Sequence, residues 1–524
     1  MKNKQRPYSR QSTPKFLPPV RDLDEEEPAE ALPLSDRDLK KFLLDGFLII
    51  SPRELSLRPE WHSEFCQYAS HVSEGEGNPG NNVLARYPQL NEVFQDPRVK
   101  SVLSRILGKG YVMQSHRFMH KTSKGQLDQQ WHKDSFFGYT RPLRHNQIRN
   151  VMLMYYPQKT TIPMGPTALR RGTAYTCIDP KRYKGVFPNE FNKGWNKESD
   201  IFMECEAGSL LLIHYDIIHR GSKNDERDRQ MYKFQFSRMI EPSVDDTVPT
   251  FGVAKFEDVE IDTKPLSEGL YPVAESIWNW LHNIPFEPKK LPTTPVNLDS
   301  ESELERMGAA YSLGLCNQYD TLMKRLVNNN EQICYNAAHG LVACRSQDAV
   351  RNLVKKVISS QGNLCTSMFV LSEWGPLVRQ SIDEKTLDQL IDSMCKKDLD
   401  EITKVYVAEA LGTIFCEYND VNNSSLVTAI EYLCGNLKNL RLEEDRVCEQ
   451  ARYVSCFSLA RIGPCAKSAV PFLKTSLKAD RNRYVIGNIL EACERIGTPE
   501  ALLIELEYLK STRWCFVTTK DNQF

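Results

Sequence analysis

Three side chains in this 524-residue sequence have the types and spacing to hold one metal ion. His132 and Asp134 stand two apart, so an imidazole nitrogen and a carboxylate oxygen can reach one ion from a single strand end. His219, far downstream, can bring a second imidazole from another strand. Two histidines and one carboxylate on one face suit non-haem Fe(II) and leave the opposite positions open for chemistry. Arg229 follows His219 after a polar turn, Ser222 to Asp228, and opens the next strand. An antiparallel return of that length would set its guanidinium beside His219, where it could grip a carboxylate through two parallel hydrogen bonds. Arg227 is the neighbouring alternative.

A His-x-Asp triplet alone arises easily by chance, so the elements around it decide its weight. Ser35 with Asp38 begins a helix carrying Leu39, Phe42 and Leu43 at helical spacing, and Asp45-Gly46 ends it. Phe47-Leu48-Ile49-Ile50 follows as a strand. Apolar residues return at helical spacing from Val93 to Leu107, ended by Gly108-Lys109-Gly110. From Tyr111 the pattern changes. Tyr111–Met113, Val151–Tyr156, Ser209–Tyr215 and Gln230–Phe236 are apolar and aromatic runs bounded by turns, as in an antiparallel sandwich or jelly roll. Both metal-ligand candidates fall at ends of such runs, where a sheet would hold them rigidly.

Val273 to Leu281 predicts a short helix. Ile284-Pro285-Phe286-Glu287-Pro288 and Leu291-Pro292-Thr293-Thr294-Pro295 can continue neither a helix nor a central strand, so a linker is expected over 284–300. Beyond 301 the chain reads helical. Arg461-Ile462-Gly463 recurs as Arg495-Ile496-Gly497, and Ala309-Ala310 to Leu315, Ala337-Ala338 to Val342 and Ala408 to Gly412 are looser copies. This pattern resembles HEAT repeats, roughly five or six of them, stacked as an α-solenoid. Residues 1–33 lack periodic apolar positions and read as a disordered tail.

The ordered set His132-x-Asp134, Met164-Gly165-Pro166-Thr167-Ala168-Leu169, Gly172-Thr173, His219-Arg220-Gly221-Ser222-Lys223-Asn224 and Arg229 resembles the phytanoyl-CoA dioxygenase family. The helix ending Asp45-Gly46-Phe47 fits the same family's start, and the resemblance covers 34–283. It implies a double-stranded β-helix domain using Fe(II), 2-oxoglutarate and O2, with ascorbate as reductant. His132, Asp134 and His219 would be the iron ligands and Arg229 the anchor of the cosubstrate's distal carboxylate. It implies oxidation of a small molecule with release of succinate and CO2. Asp134 favours hydroxylation, because related halogenases lack the carboxylate ligand. The sequence departs from many relatives at Arg171-Gly172-Thr173-Ala174, where they carry Pro-Gly-Ser-His, a loop that bears on substrate access. The alternative is a non-catalytic protein whose solenoid, 301–524, binds partners and whose β domain is a relic.

Residues near the motif carry their own expectations. Lys133 is expected to face solvent. Arg141, Arg144, His145 and Arg149 predict a solvated basic loop, or else a pocket for an acidic substrate. Phe136, Phe137 and Tyr139 would line the substrate cavity or pack the barrel mouth. His214 and Tyr215 are expected to pack or support the ligands, Ser222 and Asn224 to shape the turn, and His116 and His120 to be structural.

Lys plus Arg total 67 against 68 for Asp plus Glu, so the overall charge calls for neither nucleic acid nor an anionic membrane. Mean hydropathy is -0.47 and no long apolar run occurs, so no transmembrane span is expected. Fifteen scattered cysteines without a C-x-x-C pair indicate reduced thiols and a cytoplasmic location.

Overall fold

The computed structural model describes residues 33–75, 79–134, 142–177, 200–242, 254–262, 268–293, 296–396, 398–438 and 446–511. The expected tail, together with Phe136, Phe137, Tyr139 and Arg141, lies outside the described residues apart from residue 33.

The chain enters through helix Asp36–Asp45, where the Ser35 hydroxyl accepts from the Asp38 N–H. Its end is set by Gly46, left-handed at φ 85°, whose N–H returns to Phe42 O. Strand β1 (Phe47–Ile50) follows directly. The helical stretch before Gly108 is broken by Asp96-Pro97 into Asn91–Gln95 and Pro97–Leu107, with Asp96 capping the second piece and proline opening it.

Two antiparallel sheets form the β region. The first has the order β1-β6-β3-β8-β2, where β2 is Val112–Thr122, β3 Asn150–Tyr155, β6 Leu210–His214 and β8 Arg229–Ser237. The second has the order β5-β4-β7, formed by Asp200–Phe202, Thr167–Arg170 and His219–Gly221. β8 decides how the first sheet is used. Tyr232, Phe234 and Phe236 point to one side, where Phe234 packs on Phe94 with ring centroids 4.2 Å apart and the Tyr232 hydroxyl donates to Phe65 O. Arg229, Lys233 and Gln235 point to the other side, because successive strand side chains alternate. All are buried. An aromatic face shielded by helices and a polar face turned inward is the arrangement a buried reaction site requires.

Two elements were not legible beforehand. Helix Pro59–Gly75 covers the aromatic face. β2 runs eleven residues, far past Met113, although Gln114 to Lys121 is too polar to read as a strand. It forms because β8 pairs with it from Val112↔Ser237 to Thr122↔Arg229, with an irregularity between Met113 and Arg117. His116 and His120 therefore both sit on this strand.

From 303 to 511 the described chain is helical. Helices Glu303–Leu315, Glu331–Ala343, Leu364–Trp374, Glu401–Ile414, Arg446–Ile462 and Arg483–Ile496 pack on one another in sequence order, and the intervening helices form a second row. Most begin with Ser, Asn or Asp accepting a first-turn N–H, for example Ser302, Asn330, Asn363 and Asp400. The alanine-bearing segments all fall in the first row. Close approach is built in there: a Cβ on Gly340 would lie 2.5 Å from Ala310 O. Gly463 and Gly497, which end the recurring Arg-Ile-Gly triplets, both cap their helices in the left-handed region, at φ 68° and 67°.

This first row does not stand free. It lies against the β region along residues 143–149, β2 and the segment 176–177, as its hydrogen bonds show. Among the described residues no helix is long and apolar enough to cross a membrane.

Candidate metal centre

His132, Asp134 and His219 come together, with one ligand atom from each lying within 4.8 Å of the others. The pairing that achieves this is local. His132 and His219 exchange both backbone hydrogen bonds at 3.0 Å, and Gln129 N donates to Gly221 O, so residues 129–132 run as an added edge along β7. Trp131 holds that edge down, its ring flanked by the guanidinium carbons of Arg170 and Arg220, each 4.7 Å from the centroid.

Each imidazole is oriented by its own chain. His132 Nδ1 meets Gln130 O at 2.8 Å, and His219 Nδ1 meets Ile217 O at 3.0 Å. A carbonyl accepts only, so Nδ1 carries the proton in both rings and Nε2 is left with its lone pair. Those Nε2 atoms face Asp134, at 3.8 Å from Oδ1 for His132 and 3.6 Å from Oδ2 for His219. Burial pulls the His219 imidazole down to about 3, against the raising effect of Asp134. Burial alone would raise the Asp134 carboxyl, but the Lys233 ammonium beside it outweighs burial and holds the group well below the usual carboxylate range. The three residues therefore present two imidazole nitrogens and one carboxylate, a donor set that fits Fe(II).

Lys233 is the neighbour that motif spacing did not reveal. It rises from the inward face of β8, is buried, and its ammonium donates to Asp134 Oδ2. The signal was present in the alternation of Arg229, Lys233 and Gln235 with Tyr232, Phe234 and Phe236, since polar residues on a fully buried strand face need a reason.

Arg229 is buried, and Nη2 donates to Thr122 Oγ1 at 2.9 Å. Among the described residues its Nε and Nη1 find no hydrogen-bond partner, and the guanidinium lies 5.9 Å from the Tyr156 ring. Burial lowers its pKa, partly offset by Tyr156 and Cys205. Two orphaned donors on a buried cation fit an anionic ligand. Arg227, the alternative, is exposed and faces Glu226 at 3.7 Å. The expected route to Arg229 needs correcting: β7 and β8 belong to different sheets, so Arg229 reaches the interior from the sheet opposite His219 instead of pairing beside it.

The glycine of Met164-Gly165-Pro166 has a structural reason. Gly165 is left-handed at φ 69°, and a Cβ there would lie 2.5 Å from Ser222 O. Ser222 Oγ donates to Pro166 O, while Asn224 Nδ2 donates to Thr122 O at 2.9 Å and to Arg227 O at 2.8 Å. Both residues shape the turn, as expected. Thr173, in the segment that departs from many relatives, accepts from Ile218 N at 3.0 Å and so steadies the approach to His219.

Several expectations are overturned. Lys133 does not face solvent: it is 1% exposed, its Nζ donates to Thr176 O at 2.5 Å, and burial lowers its pKa. Arg144, His145 and Arg149 form neither a solvated loop nor an open acid-binding pocket. They are buried, and carboxylates already satisfy them. Arg144 Nη1 donates to Asp216 Oδ1 at 2.7 Å and to Asp134 O at 2.8 Å. His145 sits between Glu373 and Glu409, and Arg149 pairs with Glu241 and, at 3.4 Å, with Glu373. Two of these carboxylates come from the helical region, which residue spacing could not foresee. His214 is packed, with Tyr175 edge-on at 5.5 Å.

The sequence profile of the family described as Phytanoyl-CoA dioxygenase (PhyH) matches residues 67–231. No curated protein matches the chain. Among solved structures, apo HygX from Streptomyces hygroscopicus is 13% identical with a TM-score of 0.31, covering 39% of this chain and 87% of its own. SnoK, a non-heme alpha-ketoglutarate-dependent carbocyclase from nogalamycin biosynthesis, is 14% identical with a TM-score of 0.32, covering 41% and 88%. EctD from S. alaskensis with bound Fe is 14% identical with a TM-score of 0.33, covering 46% and 92%. His132, Asp134, His219 and Arg229 all fall inside the 67–231 stretch that matches the phytanoyl-CoA dioxygenase family.

Proposed function

We propose that the protein is an Fe(II)- and 2-oxoglutarate-dependent dioxygenase that hydroxylates a small-molecule substrate, releasing succinate and CO2. The observation that carries this reading is the convergence of His132 Nε2, Asp134 and His219 Nε2 in an interior that also holds Arg229 with two unpartnered donors. His132, Asp134 and His219 would hold the iron. Arg229 would hold the distal carboxylate of 2-oxoglutarate, with Thr122 fixing one edge of the guanidinium. Bound iron supplies the oxidising chemistry with 2-oxoglutarate and O2, and ascorbate keeps it reduced. The protein's own work is orientation: Gln130 O and Ile217 O hold both imidazoles in the ligating tautomer, and Lys233 balances the buried Asp134 charge.

We assign the oxygenase domain to 34–283, built as a double-stranded β-helix, the linker to 284–300 and a HEAT-like solenoid to 301–524. The ordered stacking of alternate helices and the matching ends at Gly463 and Gly497 support the solenoid. Its first row is taken up by the β region, so a protein partner would fall to the second row. Buried thiols such as Cys344 and Cys456 support a cytoplasmic location.

Succinate release from 2-oxoglutarate, with iron and ascorbate, tests the proposal, since uncoupled turnover needs no substrate. Correctly folded, iron-loaded protein that releases none would return the chain to the non-catalytic alternative. If Asp134→Ala bound iron as tightly as wild type, the ligand assignment would be wrong.

A further inference from the structure

The helical region touches the β region where the metal-binding segment is most in need of support. Four residues of the segment 143–149 are fastened to it. The Tyr406 hydroxyl accepts from Leu143 N and donates to Leu143 O, both at 3.0 Å. His145 is clamped by Glu373 and, at 2.6 Å, by Glu409. Asn146 Nδ2 donates to Tyr311 Oη at 2.9 Å, and Arg149 Nη2 donates to Ser372 O at 3.2 Å. Tyr311, Glu373, Tyr406 and Glu409 all stand on first-row helices.

Arg144 lies between two of these anchors, and its Nη1 holds the backbone oxygen of Asp134 as well as Asp216. A second route starts from the residue between the two proposed ligands. Lys133 Nζ holds Thr176 O, and the next N–H, that of Cys177, donates to Glu303 Oε1 at 2.6 Å. Asp134 is thus tied on both sides, through its own carbonyl and through Lys133, to side chains of the helical region. Burying so many charges along one seam is a poor way to gain stability, because desolvation consumes most of the attraction. Such pairs do hold geometry, since each has one low-energy arrangement.

We propose that the helical region is a positioning element of the metal centre, with Tyr406, Glu373 and Glu409 fixing 143–149 and that segment fixing Asp134 through Arg144. The inference rests on the metal-centre reading above. It gives the second half of the chain a function within the first: the outer support that ligating residues require is supplied from residues more than two hundred positions away.

The test uses the full-length protein and Co(II) as the probe, read by its visible absorption, alongside thermal unfolding. Tyr406→Phe and the double variant Glu373→Gln, Glu409→Gln are compared with Arg452→Met, which breaks the buried Arg452–Asp480 pair inside the helical region. Loss of support to a ligand weakens metal affinity by about tenfold or more. The first two variants should show that loss and a changed Co(II) spectrum, while Arg452→Met lowers the unfolding temperature with affinity within about twofold of wild type. Unchanged Co(II) affinity in both interface variants overturns the proposal and leaves the metal centre standing, and so does an equal loss in Arg452→Met. Wild-type protein that binds no Co(II) removes the metal centre itself, and this inference with it.

Discussion

Arg229→Met should make the protein more stable and, on the proposed function, less able to bind 2-oxoglutarate at the same time. In the wild type, Nε and Nη1 are buried without partners among the described residues, each costing about 1–3 kcal/mol. The one bond made, to Thr122, returns about 1.5–3 kcal/mol for a charged donor. Methionine fills similar space and removes both terms, a net gain on the order of 1–2 kcal/mol. For a unit of 150–250 residues this is a rise of roughly 2–8 °C in the unfolding midpoint. 2-Oxoglutarate at 100 times its Kd, with Ni(II) present to prevent turnover, stabilises wild type by about 2.7 kcal/mol. Removing one partner of a buried charge pair costs about 3–5 kcal/mol, so the variant's affinity falls at least about 150-fold. The same ligand concentration then adds at most about 0.3 kcal/mol to it. The ranking of the two proteins in a thermal-shift assay therefore reverses when 2-oxoglutarate is added. A variant that is less stable without ligand, yet shifted by 2-oxoglutarate as far as wild type, would refute the role of the orphaned donors.

Lys233→Met should destabilise the metal-free protein, since Asp134 loses the ammonium that balances it, and added Co(II) should restore much of the loss; equal destabilisation with and without metal would argue against that balance. Gly165→Ala should cost a few kcal/mol in urea unfolding, because the left-handed backbone is strained and the Cβ meets Ser222 O; a change within about 0.5 kcal/mol would contradict the geometry. Burial pulls His116 and His339 down to about 3 and His214 to about 4, so each is neutral when folded and takes a proton on unfolding below its ordinary 6.5. Their contribution is therefore present above about pH 6.5 and is lost as pH falls towards 4, at about 1.4 kcal/mol per unit each. Glu491, pushed up to about 7 by burial, works in the opposite direction, as do Asp45 and Glu505, which burial also raises. Urea midpoints that hold constant from pH 7 to pH 5 would count against this burial.

The sequence by itself determined what short-range chemistry determines. Caps such as Ser35, the break at Gly46 and the alanine-bearing helices follow from preferences of a few neighbouring residues. His132, Asp134, His219 and Arg229 stood out as candidates because their types suit a metal and an acid and because several motifs recur in order. The tertiary structure alone decided what depends on distant partners. Lys133 and the 144–149 cluster look solvated as a local string, and only Thr176, Glu373 and Glu409 make them an interior seam. β2 is a strand because β8 pairs with it, against its own polar composition. Lys233 meets Asp134 across 99 residues, and no local preference encodes that approach. A buried charge is tolerable only where its partner arrives, so its place is set by the assembled fold and not by its neighbours in the chain.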